Sequence, residues 1–257
     1  MGTDGDVVLT ERRGRVLVVT LNRPHVRNAV NEAAAHGVAA AADLLDADDE
    51  LRVGVLTGAG GTFCSGMDLK AFLTGEIPRI EGRGLAGIAI TPPRKPLIAA
   101  VEGWALAGGC EIALACDMIV AARDARFGLP EVTRSLAAGG GGLLRLPERI
   151  PANLAMEHIL TGDPFGAEAA AAWGLVNRLT EPGDALAEAL VLAERIAANG
   201  PLAVQASKDV LVRGRYWSRE ERWARQAEFT ESVLHSEDAK EGARAFAERR
   251  TPVWRGR

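Results

Sequence analysis

The sequence predicts an α/β fold with a parallel sheet and a helical C-terminal region, on three observations. A strand, helix, strand crossover is legible within the first sixty residues. The strand signal then returns at "PLIAAVEG" and "DMIVAA". From Pro151 onward the chain turns to alanine-rich segments laced with Arg and Glu, with "LVNRLT" the one strong strand among them.

Taken in order, "VVLT" and "RVLVVTL" are β-branched runs parted by "ERRG", the pattern of a hairpin from Val7 to Leu21. Asn31 is placed to cap a helix through "EAAAHGVAAAADLL", and "RVGVLT" reads as a buried strand. A glycine-rich loop, "GAGGTFCSGMDLK", leads to a short helix near Met67. Residues 74–96 show no period, and a mobile loop or short helix over a pocket is expected there. A boundary is expected near 195–200, giving a core of residues 1–197 and a helical region of 198–257.

With 257 residues and 47% hydrophobic content the chain can bury a large core. Its net charge of -4 gives no reason to expect nucleic acid or an anionic membrane as partner. Three cysteines make no disulfide framework, the first residues lack a leader pattern, and no uncharged stretch is long enough to span a bilayer. A cytoplasmic location is the expectation. The four histidines are scattered, and no phosphate-binding or metalloprotease motif occurs, so neither a metal nor a redox cofactor is expected.

The chemistry-bearing stretch is "VEGWALAGGCEIALACD", a strand, a tight glycine turn and a helix whose first turn holds Gly108, Gly109, Cys110 and Glu111. The first N–H groups of a helix lack intrahelical partners and sit at the positive end of its dipole, so they can hold developing negative charge. A second loop of this kind precedes Met67; two converging N–H groups would form an oxyanion hole for a thioester or ester. Twenty residues after Glu111, "RFGLPEVTR" supplies a second carboxylate, Glu131, for acid and base work. On spacing alone Glu111 equally suits the dipole, Glu131 an ordinary loop, and "AAGGGGLL" close packing.

Several motifs, in this order and over nearly the whole chain, resemble the crotonase superfamily and its bacterial-type enoyl-CoA hydratases. They are "LNRPHVRNAV", "VGVLTGAGGTFCSGMDLK", "PLIAAVEGWALAGGCEIALACDMIVAA", "ARFGLPEV", "LTGDPFGAEAAAAWGLVNRL" and "SEDAKEGARAFAERRTPVW". The resemblance implies a crotonase-type spiral of β-β-α turns with C-terminal helices that trimerise, as a homotrimer or a dimer of trimers.

It also implies an oxyanion hole at the N–H groups of Met67 and Gly108, catalytic glutamates at Glu111 and Glu131, and a water-seating backbone at Gly139. CoA contacts fall on Arg27 and on Met67, Asp68, Leu69 and Lys70, with Arg23 and Arg249 as further phosphate partners. The implied reaction is hydration of a trans-2-enoyl-CoA in acyl-CoA degradation, with no cofactor beyond the CoA of the substrate. Alternatives are an isomerase or other lyase on the same fold, or a non-catalytic member binding acyl-CoA or RNA. Three positions depart from the family pattern: Ala107 and Ser135, where glycine is common, and Ala138, where proline is common. Trp104, often a smaller residue in the family, is expected in the core, with the pocket wall as the alternative.

Overall fold

The computed structural model describes residues 6–257. Strands β1 (Val8–Arg13) and β2 (Val16–Leu21) form the expected antiparallel hairpin, Val8 opposite Leu21. Helix α1 (Glu32–Ala47) begins where Asn31 accepts a 3.1 Å hydrogen bond from the N–H of Ala34. It returns the chain to β3 (Val53–Gly58), parallel to β2.

After α2 (Leu69–Leu73) come a two-residue ladder, β4 (Arg79–Ile80) with β5 (Gly84–Leu85), and then β6 (Leu97–Val101). Two turns of the spiral follow. The first is β6, β7 (Trp104–Leu106) and α3 (Gly108–Ala115). The second is β8 (Met118–Ala122), β9 (Arg126–Gly128), α4 (Gly142–Arg149) and α5 (Ala152–Thr161). The chain closes through β10 (Phe165–Gly166), α6 (Ala167–Ala172), β11 (Arg178–Thr180), α7 (Ala185–Ala197), α8 (Pro201–Arg213), α9 (Arg222–Leu234) and α10 (Glu237–Glu248).

The main sheet runs β1-β2-β3-β6-β8-β11, parallel throughout except for β1, while the second strand of each turn joins a separate sheet, β10-β9-β7. Parallel strands covered on both faces read as continuous apolar runs, which is why "PLIAAV" and "MIVAA" were legible. One face packs against α1, α3 and the second sheet around Leu56, Ala99, Ile112 and Phe127. The other packs Val53, Val55, Ile98 and Val120 against Ala185, Ala189, Ala193 and Ala197 of α7, whose small side chains let the helix lie close to the strands.

Two expectations are corrected. Residues 74–96 are neither a helix nor a simple loop: the β4–β5 ladder pins them, and Leu85, Ala86, Ile88 and Ala89 are buried in the main core. Trp104 is 38% exposed on β7 and lies in neither core cluster, because its strand position alternates with the fully buried Ala105.

Candidate active site

Backbone ladders bring the two glycine loops together. Cys64 N–H donates to the Trp104 carbonyl at 2.9 Å and Leu106 N–H to the Cys64 carbonyl at 3.0 Å. On its far side the same loop bridges Val30, through Val30 N–H to Gly66 O at 2.8 Å and Asp68 N–H to Val30 O at 2.9 Å. Gly109 is required by this approach, since a Cβ there would overlap the Cys64 carbonyl oxygen.

The Met67 nitrogen thereby stands 3.5 Å from where a Cβ on Gly108 would be. Gly108 opens α3, so its N–H has no intrahelical acceptor, and the loop bonds among the described residues give Met67 N–H none either. Two unpaired N–H donors this close together can stabilise an oxyanion.

Ala107, immediately before, has φ 50° and ψ -127°, and Ser135 caps the turn after Glu131 at φ 55°. Both departures from glycine in the family pattern therefore fall at positive φ, where a side chain costs about 1–3 kcal/mol and persists only when its surroundings impose the backbone.

Glu111 is 3% exposed, and its Oε1 accepts from the N–H of Gly140 at 2.6 Å and of Gly142 at 3.0 Å. Burial pushes its carboxyl up, opposed by these two donors and by the charges of Arg79 and Arg145. A Cβ on Gly140 would stand 2.6 Å from Glu111 Oε2, so the glycine run is required by the carboxylate and not by packing alone.

Glu131 follows Pro130 in a single 3₁₀ turn, half-buried. Its Oε2 is buried without a hydrogen-bond partner among the described residues, and burial pushes its carboxyl up to about 7, helped by the charge of Glu111 and opposed by a hydrogen bond from its own backbone N–H and by the charge of Arg134.

Both glutamates line one cavity of about 440 Å³ together with Met67 and Gly108. Arg27, Leu69 and Gly139 also line it. Asp68 and Lys70 do not: Asp68 caps α2 through the N–H groups of Lys70 and Ala71 and pairs with Arg23 at 3.0 Å, while Lys70 is exposed outside the wall. That pairing also occupies Arg23, and Arg249 is an exposed cap of α10 away from the cavity.

Sequence reasoning missed Gly140 and Gly142 as ligands of Glu111, although "GGGG" was the available signal. It also missed Arg79 and the apolar wall of Phe72, Ile77, Leu85 and Leu136, whose segments carry no period. Cys110 and its neighbours Cys64 and Cys116 are buried with thiols pushed up to about 12, which leaves them unreactive.

A family model described as enoyl-CoA hydratase/isomerase matches residues 11–257. The chain belongs to the enoyl-CoA hydratase/isomerase family. An enoyl-CoA hydratase of Mycobacterium tuberculosis is 43% identical over 264 residues, covering 98% of each chain. A solved enoyl-CoA hydratase from Mycobacterium marinum is 60% identical with a TM-score of 0.97, covering 98% of this chain and 100% of that one. A carnitinyl-CoA dehydratase of Proteus mirabilis is 40% identical, covering 95% of this chain and 97% of its own. The paired sheets and the β-β-α turns are the crotonase fold of this enzyme family. Among the described residues no helix is long and apolar enough to cross a membrane.

Proposed function

We propose that the protein adds water across the C2–C3 double bond of a trans-2-enoyl-CoA to give a 3-hydroxyacyl-CoA. The observation that carries this is the unequal setting of two carboxylates on one cavity. Burial pushes both carboxyls up, but two N–H donors work toward the ionised form of Glu111, whereas no donor reaches the buried Oε2 of Glu131.

Glu111 takes a proton from the water as its oxygen bonds to C3. The C2–C3 π electrons pass into the thioester, and the enolate oxygen is held by the N–H groups of Met67 and Gly108. Glu131 delivers its proton to C2. The proton left on Glu111 returns to Glu131 through solvent, resetting both groups. An isomerase needs one shuttling carboxylate; the second, held by its own pair of donors, favours hydration. Arg27, exposed at the cavity edge, is the basic residue placed for a CoA phosphate. Assaying enoyl-CoA thioesters of increasing length by loss of the conjugated absorbance tests the reading; absence of turnover across the panel refutes it.

The pH dependence follows from the same settings. Hydration kcat/KM is expected to fall as pH rises through about 7, because Glu131 loses the proton it must donate. In the unfolded chain Glu131 titrates at its ordinary 4.5, so the stability associated with its protonated form is complete below 4.5 and lost as pH rises to about 7. Glu131→Gln is therefore expected to raise Tm relative to wild type at pH 8 and not at pH 4. Equal Tm differences at both values would contradict this setting of Glu131.

A second reading, dehydration of a carnitinyl-CoA, has the support of the 40% identical relative. It uses the same two glutamates in reverse and differs in the charge of the acyl group. For assembly, the exposed Leu211, Val212, Tyr216, Trp223, Leu234 and Phe246 on or beside the late helices support a homotrimer or a dimer of trimers. A monomer mass by light scattering at micromolar concentration would refute that assembly.

A further inference from the structure

The cavity wall carries a positive charge that the hydration chemistry does not consume. Arg79 begins β4 and lines the cavity beside Gly139, where its Nη2 stands 2.6 Å from the position a Cβ would take. Several arginines of this protein are taken up by protein acceptors. Arg83 Nη1 donates to both carboxylate oxygens of Asp43, Arg145 donates to the Ala89 carbonyl at 2.5 Å, and Arg23 pairs with Asp68. The Arg79 guanidinium has no carboxylate or carbonyl partner among the described residues, although its charge reaches Glu111.

Its location also separates it from the CoA end. Arg27 lies on the side of Ser65 and Met67, whereas Arg79 stands next to the glycine run that binds the base at C3, so what passes beside it is the acyl group beyond C3. Arg134, whose charge acts on Glu131, adds a second positive charge to the cavity lining. An acyl group bearing a carboxylate finds there a fork of free donors, whereas a quaternary ammonium, which has no N–H to donate, meets the like charges of Arg79 and Arg134, offset only by the carboxylates already engaged in the reaction.

We infer that Arg79 sets acyl specificity: the enzyme selects enoyl-CoA thioesters whose acyl group carries a carboxylate beyond C3, accepts neutral ones, and rejects those carrying a trimethylammonium. This rests on the hydratase reading and narrows it, separating this chain from its carnitinyl-CoA relative by charge. Discrimination of the carboxylate from the cation by at least about tenfold is the scale expected of one close charge in a half-screened cavity.

The test compares kcat/KM of the full-length enzyme for three trans-2-enoyl-CoA thioesters of matched length, ending in methyl, carboxylate and trimethylammonium. The same set is run on Arg79→Gln and Arg79→Glu, substitutions at an exposed position. The expected order is carboxylate, methyl, trimethylammonium; Arg79→Gln shrinks the carboxylate-to-cation ratio about tenfold, and Arg79→Glu inverts the order. If wild type hydrates the methyl substrate but the ratio is the same in all three enzymes, or favours the cation, the inference fails and the hydratase reading stands. If no substrate is hydrated, both fail.

Discussion

Glu111→Gln and Glu131→Gln are each expected to fold normally and to lose at least about 100-fold in kcat for hydration, the scale of a positioned acid or base. Glutamine preserves the acceptor that Gly140 and Gly142 bind at Glu111, so the loss there reports the missing base and not a collapsed glycine loop. At Glu131 the amide replaces a carboxyl whose Oε2 is already buried without a partner, so the change removes the proton donor at little structural cost. The two losses should be far from additive, because the groups act on one water in one step. Near wild-type turnover in either variant, measured on a substrate the wild type hydrates well, would remove that residue from the mechanism.

A comparable loss is expected from Gly108→Val. A Cβ at this position would stand 2.9 Å from Leu85 Cδ2 and 3.5 Å from the Met67 nitrogen. The Leu85 methyl can shift, being the end of a side chain, but the valine remains over both donors and keeps a thioester oxygen from reaching them. Removing a single donor of such a pair typically costs about 3 kcal/mol, and a residue that obstructs two should cost at least that. The protein should remain folded, because "IALAC" behind it stays buried in the core. Cys110→Ala is the control: its thiol is inert and assigned no step, so activity should persist. Hydration by Gly108→Val, or its loss in a folded Cys110→Ala, would place the oxyanion donors elsewhere.

What the sequence made legible, and what it hid, divides along physical lines. The inner strands of the main sheet, β2, β3, β6 and β8, are buried along nearly their whole length, so their apolar runs stood out, as did the Asn31 cap of α1. The glycine turn before Glu111 was legible because a helix N-terminus and a nearby carboxylate are local features. Its partner in the Met67 loop was suggested by a second glycine loop of the same kind and by resemblance, but the ladder bonds between Cys64 and β7 that bring the two together are long-range and leave no periodic trace.

Residues 74–96 hid their structure for a similar reason: single buried residues such as Leu85 and Ile88 anchor an irregular path that neither a period of two nor of 3.6 describes. Arg79 was invisible because a charged residue in such a segment looks like solvated surface until the cavity wall is in place. The glycine run was read as allowing close packing, with the Gly139 backbone implied by resemblance beside the water, and its bonds to Glu111 were not foreseen. Packing explains part of it, but Gly140 and Gly142 turn their N–H groups onto Glu111, a use that depends on a contact 31 residues apart in the chain for the latter.

The central claim is that two unequally tuned carboxylates add water to a conjugated thioester. Incubating the enzyme with a short trans-2-enoyl-CoA and determining the product by mass spectrometry tests it most directly. The account predicts a 3-hydroxyacyl-CoA heavier than the substrate by one water, formed as the conjugated absorbance disappears. A product of unchanged mass with a shifted double bond, or unaltered substrate in the presence of folded enzyme, would contradict it.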